Sequence, residues 1–283
     1  MPTITTLTLY PIKSCAGIDL PAATVTATGL SHQHVHDREW MVVDSAGQFL
    51  SQRSHAVMAL IFPVLQPDAM TVHAPDMPPL EITTMPLTAG LLPTVTVQIW
   101  DDSVTAHDCG DQAADWFSRV IGLPCRLVRF DPACRRLASQ KWTHDNEAPT
   151  RFSDGFPMLL ISKESLDDLN QKLQAQGRAA LPMNRFRPNI VIDGVEAFEE
   201  DFAAVIRAGQ TSLQPVKPCT RCPMPAIDQA TGEHGPDPMD ILMTYRANPR
   251  VEGGVTFGIN TILLEGDGEI LRVGQEIEVE LAF

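Results

Sequence analysis

The chain has no apolar run approaching the ~20 residues of a membrane span, which argues against a helical membrane protein. Its N-terminus, MPTITTLTLYPIKS, lacks the basic-then-apolar layout of a secretory signal and alternates like a strand, so it reads as mature and cytoplasmic. Cysteine is sparse: six thiols, irregularly spaced in 283 residues, are too few for a disulfide scaffold and fit a reducing compartment. Basic charge is in deficit, 21 Lys and Arg against 35 Asp and Glu. The net charge of −14 argues against nucleic-acid or anionic-membrane partners, which need a basic surface. Phosphate-binding loops of the Walker A or G-x-G-x-x-G type are missing, as is the C-x4-C-x2-C spacing of a plant-type [2Fe–2S] cluster. No internal repeat or low-complexity tract occurs.

What is present is an ordinary globular composition, 44% hydrophobic and 20% charged, long enough for two modest domains or one large one. The first third reads as β-structure. ITTLTLYPI alternates as a half-buried strand, REWMVVDSAGQFLSQR as two strands around an Asp-Ser-Ala-Gly turn, and TVTVQIW with DDSVTAHDCG as a hairpin. A helix is expected over about 110–121, with Ala113, Trp116, Phe117 and Val120 on one face. After the strand PCRLVRF comes a long polar segment, Asp131 to Gly155, without a clean period; loops of that length are usually functional or mobile. The soft boundary is placed here, giving units of 1–130 and 131–283. In the second unit FPMLLIS reads as a buried strand, and Ser162 caps a helix whose buried stripe is Leu166, Leu169 and Leu173. RPNIVIDG is a further strand, and the tail from Gly253 to Phe283 reads as three short strands joined by Gly-Asp turns. The sum is a β-rich α+β protein with a barrel in its second half.

One stretch carries the chemistry: VKPCTRCPMPAIDQATG, Val216 to Gly232. Structural zinc usually takes four Cys or His ligands in close pairs, and here one C-x-x-C stands alone while Cys15, Cys109, Cys125 and Cys134 are scattered. A thioredoxin-type dithiol sits at a helix N-terminus, whereas Pro223 and Pro225 follow Cys222 in a strand–loop–strand context. His32, His34 and His36 alternate as if on one strand face, but an exposed face or a turn explains them more simply than a metal site. Cys109 and Cys125 read as buried apolar thiols, and Asp108 with Gly110 as a turn before the helix. What remains is a single thiolate flanked by anion-binding groups, with Arg221 and Lys217 favouring ionisation of Cys222. Such a thiolate suits a soft or high-valent metal that arrives inside a large anionic cofactor.

YPIKSCAGIDL, DREWMVVD, FSDGFPMLLISKESLDDLN, NRFRPNIVIDG, PCTRCPMPAIDQATGE and FGIN…LRVGQEIEV occur in one order across essentially the whole chain. In this set the protein resembles the MOSC family, closest to its amidoxime-reducing branch and bacterial relatives. The resemblance implies a MOSC-type β-barrel domain and a smaller N-terminal mixed β domain, with the molybdenum cofactor (Mo-molybdopterin, not pyridoxal phosphate) bound between them. It implies Cys222 as metal ligand, with Cys219 as a mere neighbour. Lys13, Ser14, Arg38, Arg187, Asn189, Thr220 and Arg221 would hold the cofactor. Asp154 would approach the metal, and Gly155 and Phe156 stand where eukaryotic members carry small hydroxyl residues. The implied activity is reduction of small N-hydroxylated compounds such as amidoximes, hydroxylamines and hydroxylamino-purines. The chain ends at Phe283 after its last expected strand, so electrons are expected from a separate ferredoxin, flavoprotein or cytochrome. The rival implication is a non-catalytic carrier of cofactor or persulfide sulfur; a dithiol oxidoreductase using Cys219 with Cys222 is a third. The polar segment 131–152 is a candidate lid.

Overall fold

A computed structural model describes residues 1–87 and 92–282. Its second half is organised by two strands, Met158–Ser162 and Ile190–Asp193, which run parallel with Leu160 opposite Ile190. Parallel neighbours need a crossover, and helix Lys163–Ala175 belongs to it. The helix starts where expected: the Ser162 side chain accepts a hydrogen bond from the Ser165 N–H, and Leu166, Leu169 and Leu173 are buried. Both strands are buried on both faces, which is why they read as continuous apolar runs rather than alternating ones.

These strands lie in a nine-stranded sheet ordered Ile18–Leu20, Thr3–Leu9, Ile190–Asp193, Met158–Ser162, Gly254–Glu265, Thr211–Thr220, Ala203–Ala208, Glu278–Leu281, with Ala247–Asn248 alongside Gly254–Glu265. The first two strands come from the N-terminal half; Leu7 sits opposite Ile190. The exchange is reciprocal. Ile270–Arg272, near the C-terminus, pairs with Ala22–Thr26 in a four-stranded sheet completed by Gly29–His32 and Val35–His36. Leu7, Leu9, Trp40, Phe117, Leu160 and Ile190 accordingly share one core.

The remaining N-terminal strands form a four-stranded sheet, Thr94–Ile99, Asp102–Asp108, Cys125–Phe130 and Trp40–Asp44, and a three-stranded one, Phe62–Leu65, Ala69–His73 and Leu80–Thr83. Helix Asp111–Ile121 buries Ala113, Trp116 and Phe117 as expected. The β-rich α+β architecture is that expected from the sequence.

Two local expectations are corrected. The second strand of the 38–53 hairpin is reduced to single bridges, Val43 with Phe49 and Gln48 with Gln98. The turn folds tightly on the Asp44 carboxylate, which accepts from the Ala46 and Gln48 N–H groups, and the chain then turns inward to bury Leu50 and Gln52. The tail is not three short strands: its first is the twelve-residue Gly254–Glu265, which runs through the middle of the large sheet, and Phe283 lies outside the described residues. The histidines lie at the turn that their simpler reading expected: Gln33 and His34 (φ 49° and 66°) connect Gly29–His32 and Val35–His36.

Candidate functional site

Strand Thr211–Thr220 slips register against Gly254–Glu265 three times, between Ser212 and Leu213, Pro215 and Lys217, and Pro218 and Thr220. Proline has no N–H to give a ladder and is tolerated at such bulges, each of which bends the strand. The bent strand delivers Cys219 to Cys222 into a cleft, and a single 3₁₀ turn, Met224–Ala226, follows. Lys13, Ser14, Arg38, Asp154, Arg187, Asn189, Thr220, Arg221 and Cys222 all line that cleft.

Three of these residues occupy left-handed backbone: Ser14 at φ 66°, Arg38 at 47° and Arg187 at 57°. Such conformations are costly for residues with a Cβ and persist where surrounding bonds hold them. The Ser14 carbonyl accepts from Gln52 Nε2 at 2.8 Å, Arg38 is held by backbone bonds to Tyr10 and Phe152, and Arg187 Nη2 donates to the Cys15 carbonyl at 2.7 Å. Both guanidinium carbons, of Arg38 and Arg187, lie 4.3 Å from the Tyr10 ring centroid. Asn189 commits its amide to the protein. Its Nδ2 donates to Thr8 O and Asp37 Oδ1, and its Oδ1 accepts from Arg38 Nη1 and the Leu159 N–H. Its work at this cleft is therefore to aim Arg38.

Lys13 is buried, donating to the Phe152 carbonyl at 2.9 Å and to Asp154. Burial draws its ammonium down to about 8, against the support of the Asp154 charge. Desolvation opposes ionisation of Asp154, but Lys13 and Arg53 outweigh it and hold the carboxyl well below the usual carboxylate range. With its side chain 54% exposed, Asp154 presents an ionised acceptor to the cleft mouth.

The charge partner of Cys222 is not the one its neighbours in sequence suggest. Arg221 turns away, donating to Cys219 Sγ at 3.1 Å and to the Phe186 carbonyl at 2.7 Å. Lys217 faces the rings of Trp142 and Phe156. Arg53 takes the role instead: its Nε donates to Cys222 Sγ at 3.2 Å and its Nη2 to Asp154 Oδ2 at 2.9 Å. A second missed residue is Arg136, buried, whose Nη1 donates to the carbonyls of Arg151 and Ser153 and whose Nη2 donates to that of Asp154. With the Ala138–Ala148 and Arg136–Thr150 backbone bonds, it pins the segment 131–152 as a built loop rather than a free flap. Neither arginine sits in a motif; their proximity to basic or turn residues was the only available cue.

Five cations line the cleft (Lys13, Arg38, Arg53, Arg187 and Arg221) against one acid, Asp154, on a chain of net charge −14. Among the described residues no group of three or more His, Cys, Asp or Glu is placed to hold a bare metal ion. The donor set therefore fits a metal that brings anionic ligands of its own and takes one protein sulfur. The buried, unpartnered Ser153 Oγ on the cleft wall adds an unfilled polar contact. Cys15 and Cys109 are poor candidates: burial pushes both thiols up to about 12.

Fold and cleft together define a two-part β protein with a cation-lined cleft, bearing the thiols of Cys219 and Cys222, where its interlocked halves meet. Comparison with known proteins agrees: the MOSC N-terminal beta barrel domain matches residues 1–124 and the MOSC domain residues 147–278. Mouse mitochondrial amidoxime-reducing component 1 is 33% identical over 86% of this chain and 71% of its own length. Bovine mitochondrial amidoxime reducing component 2 is 33% identical over 86% of this chain and 72% of its own. Bovine molybdenum cofactor sulfurase is 34% identical over 90% of this chain but only 30% of its own length. The chain belongs to the MOSC family, with both its N-terminal and MOSC domains. No helix among the described residues is long and apolar enough to cross a membrane.

Proposed function

We propose that this protein is a molybdenum-cofactor-dependent oxidoreductase that reduces N-hydroxylated compounds. The reading rests on one observation above all: five cations converge on one cleft of an otherwise acidic chain, around the Cys222 thiol that accepts from Arg53. When bound, the cofactor supplies two-electron removal of oxygen from an N–O bond, with electrons from a separate ferredoxin, flavoprotein or cytochrome. Lys13, Ser14, Arg38, Arg187, Thr220 and Arg221 hold its anionic and polar groups, with Asn189 fixing Arg38 from behind. Cys222 Sγ is the protein's ligand to the metal, oriented by Arg53, and such orienting partners matter nearly as much as the ligand itself. Asp154, held ionised, accepts a hydrogen bond from a substrate N–H or O–H rather than donating a proton. The cleft lies between units taken as residues 1–130 and 131–283.

The similarity to molybdenum cofactor sulfurase favours one alternative, a non-catalytic carrier of cofactor or persulfide. Metal analysis and an artificial-donor N-reductase assay on wild type, Cys222→Ser and Cys219→Ser separate the readings. The proposal expects about one molybdenum per chain, lost only in Cys222→Ser, because a single thiolate suffices. Protein grown with ample molybdate that carries none would falsify it, and metal without turnover would select the carrier. Equal loss of activity in both variants would indicate a dithiol mechanism.

A further inference from the structure

The hairpin Thr94–Ile99 to Asp102–Asp108 closes through two residues, Trp100 and Asp101, with Ile99 opposite Asp102. Trp100 adopts φ 54°, a conformation that two-residue hairpins ordinarily give to glycine or asparagine. Nothing in the core asks for an indole there, since the residue is 47% exposed. Its two polar contacts lead to the cleft. Trp100 Nε1 donates to Asp154 Oδ1 at 3.3 Å, the Arg53 guanidinium carbon lies 4.9 Å from the ring centroid, and the Phe49 ring packs 5.0 Å away. The turn thus holds a large, water-facing aromatic surface in a strained conformation, directly over the Arg53–Asp154 pair beside Cys222. Trp40 and Trp116 are buried and Trp142 is half-buried, so Trp100 is the exposed tryptophan of the described residues.

We infer that Trp100 is a specificity-determining residue: its open indole surface at the cleft mouth stacks on the flat, conjugated part of the substrate. Aryl and heteroaryl N-hydroxylated compounds are therefore preferred over alkyl ones of the same charge. Stacking favours this because a conjugated ring removes water from the indole and matches its quadrupole, whereas a methyl or short alkyl group covers little of it. The inference rests on the N-reductase reading above and adds the substrate class. A residue that only braced Asp154 and Arg53 would affect all substrates alike.

The test compares benzamidoxime with acetamidoxime on the molybdenum-loaded protein with an artificial electron donor, in wild type, Trp100→Phe and Trp100→Ala. Trp100→Ala is expected to lower the aryl-to-alkyl ratio of kcat/KM about five- to tenfold, mainly through KM for benzamidoxime, while Trp100→Phe retains most of the preference. A parallel loss for both compounds, with the ratio unmoved, overturns the inference and leaves Trp100 a brace. If wild type reduces neither compound, the N-reductase reading fails, and tryptophan emission decides the inference separately. Quenching by benzamidoxime but not acetamidoxime, absent in Trp100→Phe, supports stacking. Equal quenching by both compounds, or quenching that survives Trp100→Phe, overturns it.

Discussion

Arg53 Nε donates to the Cys222 sulfur at 3.2 Å across 169 positions of sequence. The same guanidinium reaches Asp154 at 2.9 Å, so one planar side chain fixes the thiol and the carboxylate relative to each other. Planarity matters here, because a forked donor serves two acceptors at a set angle and an ammonium does not.

Arg53→Ala is therefore expected to lower molybdenum content or N-reductase rate about 10–100-fold, the usual cost of losing a partner that orients a metal ligand. Arg53→Lys should recover little of it. Metal per chain together with artificial-donor turnover checks both variants, and full recovery by lysine would contradict a two-acceptor role.

Lys13 makes opposite predictions for stability and for anion binding. Burial lowers its ammonium to about 8 from 10.5, so between those values the unfolded chain holds a proton that the folded chain has released. Unfolding free energy therefore rises with pH through that window, and below it the buried charge costs stability. From pH 7.5 to 9.5 wild type should gain about 1–2 kcal/mol relative to Lys13→Met in denaturant titrations. Over the same interval pyrophosphate should bind wild type more weakly, because one of the five cleft cations is lost. A stability gain shared equally by Lys13→Met would assign the slope to another group.

Glu39 and Arg129 form a buried pair, Nε to Oε1 at 2.7 Å, each side chain 5% exposed. Arg129 also donates to the carbonyls of Thr84 and Met85 and lies over the Trp40 ring. Removing one partner strands the other's charge in the interior, so Glu39→Ala should destabilise by about 3–5 kcal/mol. The denaturation midpoint reads this directly, and a loss below 1 kcal/mol would mean that the charge finds water.

Gly258 lies within the long strand Gly254–Glu265 at φ 77°. A Cβ there would sit 2.6 Å from Ile161 Cγ1 and 3.0 Å from the Leu160 carbonyl oxygen. Gly258→Ala combines left-handed strain with overpacking and should cost about 2–4 kcal/mol, visible as a lower Tm.

Elements with clean local signals were legible from sequence. The Ser162 cap, the Leu166–Leu169–Leu173 stripe and the Ala113–Trp116–Phe117 face depend on neighbours a turn or two away, and the structure shows them. The cleft was legible mainly as a set of motifs, and all nine residues drawn from those motifs line it. Proximity within CTRC misled, because bulges and prolines aim Arg221 and Cys222 in different directions. Arg53 and Trp100 sit in no motif. One acts through a partner 169 residues away, and the other through a positive φ that side-chain patterning does not encode. The short tail strands were misread because the pattern around Thr256–Asn260 belongs to a strand buried between two neighbours, where alternation disappears.

The exchange of strands between the halves has a consequence for synthesis. Thr3–Leu9 leaves the ribosome well before its partner Ile190–Asp193, which follows some 186 residues later, and the return strand Ile270–Arg272 comes later still. At translation rates of about 5–20 residues per second, the nascent chain must carry an unpaired β-edge for on the order of ten seconds or more. The two mixed sheets cannot be completed until strands of both halves exist, whereas the two sheets made only of strands from residues 40–130 can. The cleft draws on both halves, from Lys13 to Asn260, so a chain interrupted before residue 260 lacks part of its wall.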